Sequence, residues 1–112
     1  MVFQKLKRIR DFERRHLAFL QHAEDRDLVI SIGHAQEMGR SLNFKQLVLL
    51  EIGAPTTLQR RLNRLLQLGV LEKSNHASDR RSSVYTVATS YQKLFRRYLA
   101  VMGAVDSIGE KN

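Results

Sequence analysis

Between Pro55 and Leu68 the chain carries Thr56, Thr57, Gln59, Arg60, Asn63 and Arg64, with no aspartate or glutamate from Ala54 to Val70. Guanidinium forks bind guanine edges and phosphates, side-chain amides match adenine, and threonine reaches phosphate or thymine methyl groups. Spacing sorts these residues onto one side of a helix. With Leu58 at the origin and about 100° per residue, Leu62, Leu65 and Leu66 fall within about 80° of it. Thr56, Arg60, Asn63, Arg64 and Gln67 lie opposite. Polar outer faces are ordinary on surface helices, but solvated helices usually mix charge signs to form i,i+4 pairs. An acid-free face is the one phosphate repels least. The reading is a helix that offers Thr56, Thr57, Gln59, Arg60, Asn63 and Arg64 to double-stranded DNA.

A second basic group follows in the chain. Asp79, Arg80 and Arg81 sit where a β-hairpin between Val70–Ser74 and Ser83–Val87 is expected to turn. Arginine on a protruding ribbon is drawn to the negative potential of a minor groove. Asp79 can hold a neighbouring arginine extended through a charge-assisted hydrogen bond.

Composition narrows the alternatives. The 112 residues are 43% hydrophobic and 27% charged, which suits one soluble domain with a modest core. A net charge of +8 attracts polyanions, so its placement matters more than its size. The absence of cysteine excludes disulfides and thiolate metal sites. His16, His22, His34 and His76 have no i,i+3 or i,i+4 pairing, and no metal or cofactor is expected. No phosphate-binding glycine loop or nucleophile elbow occurs, and Glu24, Asp25 and Asp27 read as helix-start acids, so an enzyme is not expected. Without a secretory signal or an apolar run near the ~20 residues of a membrane span, a cytoplasmic protein is expected.

The elements that must position these groups can be read in order. A helical stripe runs from Val2 to about Ala23, and Asp27 offers an N-cap for a helix from Leu28 to Met38, closed by Gly39. Asn43 and Gln46 have capping-box spacing and open a short helix, and Gly53 marks the tight turn after it. Pro55 fits the first turn of the next helix, which Gly69 closes. The β-hairpin follows, and Thr89 opens a final helix. The fold class is therefore mainly α: a winged helix-turn-helix with a two-stranded β-hairpin wing and flanking N- and C-terminal helices. One domain is expected over 1–112, with terminal helices at 1–24 and 89–108 available for dimerisation and a winged-helix core at 27–88.

The run Gly53-Ala54-Pro55-Thr56-Thr57-Leu58-Gln59-Arg60-Arg61-Leu62, then Gly69-Val70-Leu71, Asp79-Arg80-Arg81 and Val87-Ala88-Thr89, resembles the MarR-type winged-helix regulators. That resemblance implies a homodimeric transcription regulator whose outer helices pair. It places recognition helices in successive major grooves, Arg81 in a flanking minor groove and Asp79 as its orienting partner. Ala54 stands where the family commonly has a serine N-cap. No small-molecule effector and no membrane partner is indicated. The competing readings are a winged helix used for protein interaction and a nonspecific nucleic-acid binder.

Overall fold

The computed structural model describes residues 1–76 and 79–103, and side chains there except at 76–82. The chain forms two compact units, one of residues 22–88 and the other of residues 1–21 with the chain from Thr89 onward. No described helix is long and apolar enough to cross a membrane.

The first unit runs α2 (Ala23–Glu37), β1 (Leu42–Asn43), α3 (Phe44–Leu49), α4 (Pro55–Gln67), β2 (Leu71–His76) and β3 (Asp79–Val87), α1 belonging to the other unit. Its core forms where helical stripes meet the inner face of the sheet. Leu28 and Ile32 of α2, Leu47 of α3 and Leu58, Leu62 and Leu65 of α4 are essentially fully buried. Truncating any of these leucines to alanine would cost about 2–5 kcal/mol, the usual range for a cavity in a close-packed interior. Gln36 reaches from α2 to the sheet, its Oε1 accepting the Val87 N–H at 2.9 Å.

Three local features differ from the sequence reading, each for a physical reason. Helix α2 starts at Ala23, not Leu28, with His22 as its N-cap. Asp25 rather than Asp27 makes the capping contact, Oδ2 accepting the His22 N–H at 3.1 Å. Glu24 and Asp25 thus occupy the first turn, where unpaired N–H groups favour negative charge. Second, the wing gains a third strand. β1 pairs antiparallel with β3, Leu42 opposite Tyr85 and Asn43 opposite Val84, giving the order β1-β3-β2. Two residues carry too little alternation to be recognised as a strand. Third, the hairpin is longer than expected: Asp79, Arg80 and Arg81 begin β3 instead of forming its turn.

The capping box at Asn43 is as expected. Its Oδ1 accepts the Gln46 N–H at 2.9 Å and Gln46 Oε1 accepts the Asn43 N–H at 2.8 Å, fixing the start of α3. The turn into α4 relies on Glu51, not Gly53, for its left-handed residue (φ 58°). Gly39 and Gly69 do adopt positive φ, at 74° and 78°, directly after α2 and α4.

The second unit contains α1 (Val2–His16) and α5 (Thr89–Met102). α1 ends at His16, well before Ala23, with Leu17 as its C-cap. The two helices meet where Phe12 stacks on Tyr98 with ring centroids 5.7 Å apart, and Phe19, in the turn after α1, meets the Tyr91 ring edge-on at 5.2 Å. Tyr98 donates its hydroxyl to Glu13 Oε2 at 2.5 Å. Neither helix contains a buried residue, and Val2, Phe3, Leu6 and Leu99 are exposed.

Candidate nucleic-acid interface

Helix α4 begins at Pro55, whose missing N–H costs nothing at that position, after Ala54 as an N-cap without a side-chain hydrogen bond. Burial of Leu58, Leu62 and Leu65 fixes the rotation of the helix about its axis. Thr56, Gln59, Arg60 and Asn63 are consequently exposed. With Phe44 of α3 and Arg64 they line one open surface groove. Along it, Gln59 Nε2 donates to Asn63 Oδ1 at 3.0 Å, which aligns two amides one turn apart. Among the described residues no acidic side chain lines this groove.

Two residues expected beside them are placed differently. Thr57 is half-buried at the margin of the leucine stripe. Arg64 is also half-buried, and its Nη1 lies 3.7 Å from Oδ2 of Asp25, a carboxylate 1% exposed. At that distance the contact is an ion pair rather than a hydrogen bond. Arg64 therefore both lines the groove and ties α4 to the start of α2.

Arg61, which the helical wheel leaves between the two faces, completes that tie. Its Nη1 lies 2.7 Å from His22 Nδ1 and its Nε 3.7 Å from Glu24 Oε1. A guanidinium so engaged cannot reach outward, so Arg61 orients the helix, while Arg60, which makes no ion pair among the described residues, lines the open groove. Sequence reasoning missed this network. The only signal was a pair of acids at a helix start with two arginines on the inner flank of another helix.

Asp79, Arg80 and Arg81 lie on the backbone of β3, but their side chains lie outside the described residues. Tyr85, further along β3, is buried, and burial raises its phenol above the usual value of 10.0.

The chain matches no protein-family model and no curated protein. Solved structures do resemble it. A crystal structure of MarR superposes with a TM-score of 0.62 at 18% identity, covering 96% of this chain and 76% of that one. A SlyA-like transcription regulator from Listeria monocytogenes gives 0.62 at 15% identity, over 99% of this chain and 71% of the other. A mutant MarR from E. coli complexed with operator DNA gives 0.60 at 16% identity, over 91% and 71%. The fold is that of the MarR-type winged helix.

Proposed function

We propose that the protein binds specific duplex DNA as a homodimer and regulates transcription. The observation that carries this reading is the outer face of α4, exposed, acid-free and rigidly backed by three buried leucines. The operator complex of a similarly folded regulator adds support.

In this reading α4 enters the major groove. The Gln59–Asn63 hydrogen bond leaves Gln59 Oε1 as an acceptor and Asn63 Nδ2 as a donor, the complement of an adenine edge. Arg60 takes a guanine edge or a phosphate, Thr56 and Thr57 take backbone phosphates at the helix start, and Arg64 contributes charge while held by Asp25. On the wing, Arg81 enters a minor groove with Asp79 orienting it and Arg80 beside the backbone. The exposed Val2, Phe3, Leu6 and Leu99 supply the surface on which a second copy docks. A two-fold dimer presents its recognition helices ~34 Å apart, which calls for a near-palindromic site.

Selection of bound duplexes from a random pool tests the reading directly. Recovery of an imperfect palindrome supports it. Duplex binding without sequence preference leaves a nonspecific binder, and no binding at low salt leaves a protein-interaction module.

A further inference from the structure

Most of the net positive charge lies outside the compact unit that holds α4. Residues 22–88 hold nine Lys and Arg against seven Asp and Glu. Residues 1–21 and 89–103 hold nine against two. Most of the described excess thus belongs to the unit of α1 and α5.

Within that unit three arginines neighbour one ring, two by helix spacing and one by direct contact. Arg8 and Arg15 stand four residues before and three after Phe12 on α1, so both are its neighbours on the helix surface. Arg97 of α5 lies over the same ring, its guanidinium carbon 5.5 Å from the centroid. All three arginines are exposed. Both acids of α1 are paired with other residues: Lys7 holds Asp11, three residues after Arg8 and four before Arg15, at 3.3 Å, while Arg10 holds Glu13 at 2.8 Å. Among the described residues none of Arg8, Arg15 and Arg97 makes an ion pair.

We infer that Arg8, Arg15 and Arg97, gathered around Phe12, form a second DNA-binding surface that holds backbone phosphates without reading sequence. It rests on the DNA-binding function proposed above and extends it to the other compact unit. Three guanidiniums that make no ion pair among the described residues, placed around one ring, suit phosphate oxygens, which guanidinium forks engage bidentately. The stacking of Arg97 on Phe12 fixes one fork in advance. A lipid surface fits less well. Membrane-seeking basic helices insert bulky apolar side chains among their cations. Here the exposed Val2, Phe3 and Leu6 project on the other side of α1, about 120–180° from Arg8 and Arg15. The ring at the centre of the cluster is half-buried against Tyr98.

The test uses the full chain and its selected duplex, with affinity measured from ~50 to ~200 mM salt. Each duplex phosphate contact adds about 0.9 to the slope of log affinity against log salt. The Arg8→Gln/Arg15→Gln/Arg97→Gln variant should lower that slope by about 2–3 and leave the preference at every base position unchanged. The Arg8→Gln/Arg15→Gln variant keeps the Phe12 stack intact and should lower it by about 2, which guards against misfolding of the triple variant. An unchanged slope in both variants, with tight binding retained, overturns this surface and leaves the proposed function standing. No duplex binding by the unsubstituted chain at the lowest salt overturns both. A third arm measures sedimentation with phosphatidylserine–phosphatidylcholine vesicles. Vesicle binding lost in the variants while the DNA slope is unchanged assigns the cluster to lipid and overturns the inference.

Discussion

The Arg64 guanidinium lies 3.7 Å from a carboxylate of Asp25 that is almost wholly buried, and the same carboxylate accepts the N–H that opens α2. One aspartate therefore begins one helix and steadies another. Asp25→Asn keeps the size and removes the charge. It should lower stability by about 1–2 kcal/mol, through loss of the first-turn charge in a partly buried setting and of the Arg64 ion pair. Urea unfolding followed by circular dichroism measures the change. The sequence preference of the duplex site should also broaden at the position nearest Arg64, because its guanidinium loses one of the charges that hold it.

Among the described residues Arg60 has no such tether, and its substitution should leave the fold alone. Arg60→Ala is expected to weaken the best duplex by about 1–3 kcal/mol and relax preference at one base pair. A binding profile over all single-base variants of the site reads both effects. Unaltered affinity and profile would show that α4 does not read DNA, whatever else binds it.

Exposed apolar side chains on α1 and α5 make association testable apart from DNA. Leu6→Glu or Leu99→Glu should shift the protein from dimer to monomer in sedimentation at micromolar concentration. Neither residue is buried within its own unit, so helix content should be unchanged. A monomer before substitution would remove the pairing surface from the proposal.

Glu51 adopts a left-handed conformation that costs a residue with a β-carbon about 1–2 kcal/mol. Glycine has no such penalty but loses more freedom on folding. Glu51→Gly should therefore stabilise the protein by a net amount of about 0.5–1 kcal/mol. The midpoint of urea unfolding should rise with an unchanged slope.

Tyr85 gives the protein an alkaline limit. Burial holds its phenol protonated above the usual 10.0 in the folded state. Its contribution is fully present below pH 10.0, where neither state ionises. As pH rises further the unfolded chain loses the proton first, so stability falls through the raised folded value. Unfolding midpoints at increasing alkaline pH should drop, and Tyr85→Phe should make the drop smaller.

Some of this was legible in the sequence because the signals were local. Pro55, the leucine spacing and Gly69 define α4 within fifteen residues, and Asn43 with Gln46 marks the start of α3. The start of α2 was not, since Asp25 and Asp27 have equal capping chemistry and only the packing of Leu28 and Ile32 selects between them. β1 was invisible because its partner lies about forty residues away. The ties from Arg61 and Arg64 to His22, Glu24 and Asp25 also span nearly forty residues, so no periodicity announces them. The net charge pointed to polyanions but not to the unit that carries most of it.

Asn43 belongs at once to the last rung of the sheet, opposite Val84, and to the cap of α3. No slack chain separates the ribbon from the helix-turn-helix, so a shift of β1 along its partner strand would pull on the side chain that opens α3.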